Sequence, residues 1–136
     1  LPLIERAVGE LGLGEQVTFA GFREDIPDVL RRLDLLVIPS LHECVPQVGL
    51  QALASKTPVV GSNVGGIPEI IRPGESGRIV PPANPTALAA AIREVFAHPN
   101  ATKDMIEKGR QRVVKNHSLS GMLDRLDELY LRCIKF

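Results

Sequence analysis

Glu43 stands just past an apolar run, Leu35-Leu36-Val37-Ile38-Pro39-Ser40, and Gln51 follows it after seven intervening residues. A second apolar run, Pro58-Val59-Val60-Gly61, leads through Ser62-Asn63-Val64 into the pair Gly65-Gly66 and then Ile67-Pro68-Glu69. An ionised carboxylate is a strong, purely accepting hydrogen-bond partner, so Glu43 suits the neutral hydroxyls of a sugar better than an anion. A helix beginning after Glu43 would present the unpaired N–H groups of Gln47, Val48 and Gly49, and such a terminus attracts phosphate. Gly65 and Gly66 let backbone approach a ligand or adopt positive φ, and Glu69 falls in the first turn of the next helix. Each feature also has a plain structural explanation. Glu43 can be an acidic helix-capping residue on a solvated loop, and the glycines a tight turn followed by a charge that favours the helix dipole.

Gly21-Phe22-Arg23 ends a short β-prone run and could hold a planar base, with Phe22 or Arg23 near its face. A strand-end turn with a solvated arginine fits the spacing equally well. Gly9, Gly12 and Gly14 resemble a broken dinucleotide fingerprint, but they follow a helical pattern rather than a strand and are expected to be turn residues. His42, His98 and His117 have no i, i+4 partner and no adjacent pair of cysteines, so the sequence offers no metal site. Asn100-Ala101-Thr102 and Asn116-His117-Ser118 fit a glycosylation sequon without any sign of secretion. Lys108, Arg110, Arg112 and Lys115 are expected to form a solvated helix face.

The elements that must position these residues follow from periodicity. Leu3, Ile4, Ala7, Val8 and Leu11 recur at helical spacing up to Gly12, and Gln16 to Ala20 is predicted as a strand. Asp25 is placed to cap a helix with Pro27 in its first turn, carrying Val29, Leu30 and Leu33 inward. The continuous apolar run after Asp34 predicts a strand covered on both faces. Val48 to Ala54 is predicted as a helix, Pro58 to Gly61 as a buried strand, Ile67 to Ile71 as a short helix and Gly77 to Val80 as a last strand. Asn84-Pro85 is a cap followed by proline at the first helical position, ahead of a stripe of Leu88, Ile92, Val95 and Phe96. A second helix is predicted from Thr102 to Lys115, and a third from Ser118 with Leu119, Met122, Leu123, Leu126, Leu129, Tyr130 and Cys133 inward.

Strands alternating with helices define an α/β fold: a Rossmann-like, mostly parallel sheet with flanking helices and a helical C-terminal tail. The expected organisation is one domain over residues 1–136, with strands and helices in 1–83 and the tail in 84–136. In such sheets both candidate loops fall at the carboxyl edge, where open α/β folds bind ligands. A chain of 136 residues is long enough to bury roughly two thirds of its unfolded surface. Sixteen Lys and Arg balance sixteen Asp and Glu, so the overall charge gives no reason to expect nucleic acid or an anionic membrane as a partner. Cys44 and Cys133 lack metal-ligand spacing, and the absence of a long apolar run or signal-like start points to a soluble, cytoplasmic protein. The first residues open directly into an amphipathic pattern without a Met, which leads to the expectation that the chain begins inside a longer gene product.

In order, Val17 to Gly21, Asp34 through Pro39-Ser40, Glu43, Pro58-Val59-Val60, Gly65-Gly66-Ile67-Pro68-Glu69 and Gly77-Arg78-Ile79-Val80-Pro81 resemble the C-terminal half of family 4 glycosyltransferases. The resemblance implies a GT-B fold, of which this would be a truncated half, and transfer of sugar from a nucleotide donor with retention and without a bound metal. It implies no cofactor, with a UDP- or GDP-sugar as donor substrate. Glu43 matches the first acid of the family's Glu, seven residues, Glu motif and becomes the expected catalytic-side contact to the donor sugar. Gln51 takes the place of the second acid, which normally binds the ribose hydroxyls; it keeps hydrogen-bonding capacity but loses the charged acceptor. Phe22 and Arg23 match the base-contacting loop, and Gly65, Gly66 and Glu69 the second donor-side loop.

The departures cluster. The family usually follows the first Glu with Gly, an aromatic and Gly, where this chain has Cys44, Val45 and Pro46, and Pro46 removes an N–H close to the expected phosphates. Lys56 stands where a turn glycine is usual. The resemblance implies a family strand order of 3-2-1-4-5-6 whose first two strands and Arg/Lys diphosphate clamp are expected to lie before the matched part, so that Gln16 to Ala20 lacks its usual neighbour. It is expected to move beside the Asp34 to Pro39 strand, or to pair with another chain. The resemblance thus implies a donor-binding part that is inactive alone, partnered by a missing N-terminal acceptor domain or a second chain. The alternative is a non-catalytic binding or oligomerising module on the same fold, such as a homo-oligomer.

Overall fold

The computed structural model describes residues 2–134. Three parallel strands, β1 (Leu36–Ile38), β2 (Val59–Ser62) and β3 (Arg78–Val80), form a sheet in the order β1-β2-β3, with Leu36 opposite Val59 and Val60 opposite Arg78. This is the order expected of the last three strands of the family sheet. Seven helices make the fold mostly helical: α1 (Pro2–Glu10), α2 (Ile26–Arg32), α3 (Gln47–Ala54), α4 (Ile67–Ile70), α5 (Pro85–Ala97), α6 (Pro99–Asn116) and α7 (Leu119–Ile134).

Because side chains alternate along a strand, Val59 and Val60 on β2 point to opposite faces, and each anchors its own core. Val59 joins Leu30, Ile38, Ala52, Leu53, Ile67, Ile70, Ile71 and Val113 on the side of α2, α3 and α4. Val60 joins Val80, Ala91, Val95 and Met105 on the side of α5. α6 serves both, giving Met105 to one core and Val113 to the other. Both valines are 0 % exposed, and full burial of such a side chain is worth about 1.5–3 kcal/mol. Covering on both faces, predicted for the run after Asp34, is not met at β1, where Leu36 and Val37 remain half-buried, and is found instead at β2.

Two turns fix the frame. Thr57 Oγ1 donates to the Leu30 carbonyl at 2.6 Å, tying α2 to the entry of β2. α3 ends in a Schellman arrangement, with the Lys56 N–H on the Leu53 carbonyl and the Thr57 N–H on the Ala52 carbonyl. Lys56 occupies the left-handed position of that motif at φ 62°, which explains why a glycine is usual there.

Three expectations are corrected. Residues Gln16 to Ala20 form no strand: Gln16 and Val17 both donate to the Leu13 carbonyl in a turn, and Phe19 is exposed. Nor does this segment move beside β1, which pairs with β2 alone among the described residues. A β-prone run needs a neighbour to satisfy its backbone, and local propensity cannot supply one. The amphipathic stripes of the terminal helices do not turn inward either. α1 and α7 bury no residue, and Leu119, Met122, Leu123, Leu129 and Tyr130 are exposed, as is Phe96 on α5. Periodicity marks which face is apolar; it does not say that the same chain covers it. Third, Asp25 occupies the N-cap of α2 without capping it, because its carboxylate is taken by Arg23. Asn84 does cap α5, accepting from the Ala87 N–H at 2.9 Å. No helix among the described residues is long and apolar enough to cross a membrane.

Lys56→Gly should stabilise the chain by about 0.5 kcal/mol in urea unfolding. Removing a left-handed side chain relieves about 1 kcal/mol of strain, partly offset by the freer unfolded chain. The Lys56–Glu107 ion pair lost with it is exposed and contributes little in water.

Candidate functional site

The carboxyl ends of β1 and β2 carry the two loops. After β1 the chain runs through Pro39 and Ser40 to Glu43, whose half-buried carboxylate accepts from Ser40 Oγ at 2.9 Å. Pro46, extended at ψ 110°, stops the loop and serves as N-cap of α3 without a capping side chain. Its carbonyl takes the Gly49 N–H at 3.0 Å, so Gly49 is not among the free donors, contrary to expectation. The N–H groups of Gln47 and Val48 engage no backbone acceptor and are the open positive end of an eight-residue helix. Gln47 and Gln51, one turn apart on the same face, are both exposed.

The second loop is joined to the first by backbone. The Gly66 N–H donates to the Cys44 carbonyl. A Cβ on Gly65, at φ +50°, would overlap the Glu43 carbonyl oxygen, and one on Gly66 would lie 2.6 Å from Val45 Cγ2 as well as against the Cys44 carbonyl. The glycine pair therefore admits the acid-bearing loop to close range. Three residues on, Glu69 is exposed on α4, and its carbonyl accepts Arg112 Nη2 at 2.9 Å.

The structure thus brings Glu43, Gln47, Val48, Gln51, Gly65, Gly66 and Glu69 to one edge. It does not bring Phe22 and Arg23 into that group. Phe22 is 91 % exposed. Arg23 is turned onto Asp25, with Nε–Oδ1 at 2.8 Å and Nη2–Oδ2 at 2.5 Å, over a shallow depression shared with Asp28 and Val29. The Arg23 hydrogen bonds hold the Asp25 carboxyl below its ordinary range, and Asp25 raises Arg23 in return. A separate cavity of about 200 Å³ at the same end of the sheet is lined by Pro39, Ser62, Val80, Pro81, Asn84 and Leu88; it is mainly apolar and holds none of the predicted site residues. Among the described residues no three His, Cys, Asp or Glu side chains are grouped to hold a metal, and Cys44 and Cys133 are free and exposed.

Two contributors were not singled out from sequence. Ser40 orients the acid; a hydroxyl three residues before a carboxylate at a strand end is a usable signal. Arg112 reaches the second loop from α6, forty-three residues away in sequence, and nothing local announces that.

With this geometry in view, comparison with known proteins is direct. Residues 3–112 match the family described as "Glycosyl transferases group 1", and the chain belongs to it. It is 30 % identical over 131 residues to the alpha-D-kanosaminyltransferase of Streptomyces kanamyceticus, covering 95 % of this chain and 34 % of that one. Sucrose-phosphate synthase from Thermosynechococcus elongatus superposes with a TM-score of 0.87 at 33 % identity, over 96 % of this chain and 33 % of that one. A glycosyltransferase from Rickettsia africae gives 0.91 at 27 %, over 98 % and 36 %. The chain spans about a third of the length of these relatives, and it is homologous to the C-terminal part of such GT-B glycosyltransferases.

Two outcomes check this geometry. Gly66→Ala should destabilise the fold by about 1–3 kcal/mol, the range for forcing a side chain into filled space, and speed amide exchange at residue 66 more than in β2. In an NMR titration the Asp25 carboxyl should show a midpoint below the usual aspartate value of about 3.9, returning upward in Arg23→Gln. The sign follows from the lowered folded-state value: the pair's small contribution is present above that pH and disappears as pH falls through the Asp25 midpoint.

Proposed function

We propose that this chain binds a nucleotide-sugar donor, a UDP- or GDP-sugar, as the donor-holding part of a retaining glycosyltransferase. The observation that carries this is the Gly66 to Cys44 backbone hydrogen bond, which holds a sugar-suited acid and an open helix N-terminus on one edge. In this assignment the free N–H groups of Gln47 and Val48 face the diphosphate, aided by the positive end of α3. Gln51, a turn along, meets the ribose hydroxyls, and Glu43, held by Ser40, accepts from the donor sugar near the reacting centre. Glu69 closes the second loop over the sugar side.

The base is assigned to Phe22, whose exposed ring is free to stack, while Arg23 must leave Asp25 to take part. Pro46 supplies no N–H and Gln51 no charge, so the phosphates and ribose are held by fewer and weaker groups than in the family pattern. Transfer to an acceptor is assigned to this part acting with the acceptor-binding region that makes up the remaining length of its relatives.

Isothermal titration with UDP-glucose and GDP-mannose tests the reading. Saturable heat with one of them is expected, absent in Glu43→Ala and about tenfold tighter in Gln51→Glu, the size of one neutral hydrogen bond exchanged for a charge-assisted one. Silence toward both donors, or binding indifferent to Glu43→Ala, overturns it.

A further inference from the structure

Lys108, Arg112 and Lys115 fall at i, i+4 and i+7 on one face of α6 and line a cavity of about 230 Å³ with Gln111, Asn116 and Glu75. None of the three is within ion-pair distance of a carboxylate among the described residues, a state they share with Arg32, Arg93, Lys103, Arg110 and Arg125; what sets them apart is that they line one cavity together. Like charges at this spacing oppose the helix rather than support it. Lys115 has a structural explanation, since it lies in the last turn and answers the negative end of the helix dipole. Lys108 and Arg112 lie farther inside the helix, where that effect has faded, and Lys108, like Lys115, is exposed as a solvated helix face requires.

Arg112 is also anchored. Its Nη2 donates to the Glu69 carbonyl, and its Nε is buried without a partner. A guanidinium fixed at one nitrogen, two ammonium groups and the Asn116 amide surround a small cavity, while the Gln111 amide is shared with Glu107. Glu75 is the one carboxylate in the lining, which leaves a formal charge of two positive units from three cations and one acid. Arginine's fork and lysine's compact charge both suit the oxygens of phosphate.

We propose that this cavity is a binding site for a phosphate monoester, separate from the donor edge and linked to it by the Arg112 contact with α4. The ligand is a dianionic phosphate group, carried either by a soluble phosphorylated molecule or by a lipid headgroup. The site does not depend on the donor assignment: of its lining residues only Arg112 touches that edge, and it does so through the Glu69 main-chain carbonyl.

The test uses the full chain, titrated with inorganic phosphate and followed by amide shifts against sodium chloride of matched ionic strength. Saturable shifts at Lys108, Gln111, Arg112 and Lys115, extending to Glu69 through Arg112, are expected. Lys108→Gln with Lys115→Gln, both exposed and outside either core, should weaken phosphate about tenfold, and Glu75→Gln should tighten it. Flotation with phosphatidylcholine vesicles containing phosphatidic acid identifies the source: capture that free phosphate competes away assigns the headgroup, and saturable phosphate binding without capture assigns the soluble ester. Shifts no different from those in chloride, or phosphate binding or flotation that survives the double substitution, overturn the site.

Discussion

β2 is the strand on which the remaining structure is hung. It pairs on both edges, and all four of its residues are buried. Its successive valines seed two separate cores, so any helix that packs on the sheet packs on one of them. Such close covering requires small residues nearby. A Cβ on Gly61 would meet Ile67 Cγ2 at 2.8 Å, and one on Gly77 would lie 2.9 Å from the Val59 carbonyl oxygen. The glycines are therefore part of the packing, and α4 can lie directly over the strand that leads into it.

That tight seating determines the site. Because α4 begins immediately after the loop from β2, the loop must pass beside the one from β1, and Gly65 and Gly66 are what let the two backbones touch. The contact is made entirely through main chain, so it constrains the residues at 43 and 44 by position rather than by side-chain type. This accounts for how Cys44 and Val45 can replace the family's usual residues without opening the edge. It also separates the shape of the edge from its chemistry: glycine and backbone set the shape, while Pro46 and Gln51 are the departures that the donor proposal sets against phosphate and ribose.

Exposed apolar side chains are most numerous on α7, and α1 likewise buries none of its stripe. These helices were legible from their period because an amphipathic stripe is a local property. The sheet was legible where apolar runs were continuous, at Leu35 to Ile38 and at Pro58 to Gly61, although only the second is covered on both faces. Gln16 to Ala20 failed because β-propensity states a willingness to pair and carries no information about a neighbour.

The sequence by itself determined the class of fold, the family and, beyond Gln16 to Ala20, the order of the elements. It also determined the residue types at the carboxyl edge, because periodicity, caps such as Asn84 and the spacing from Glu43 to Gln51 are properties of short stretches of chain. Tertiary structure decided what touches what. It assigned Gly65 and Gly66 to loop closure, occupied the Gly49 N–H, turned Arg23 onto Asp25 and left Phe22 apart from the other candidates. It also carried Arg112 across forty-three residues to the Glu69 carbonyl. Each of these depends on distances between segments remote in sequence, which are fixed only when β2 is buried and its two faces are filled.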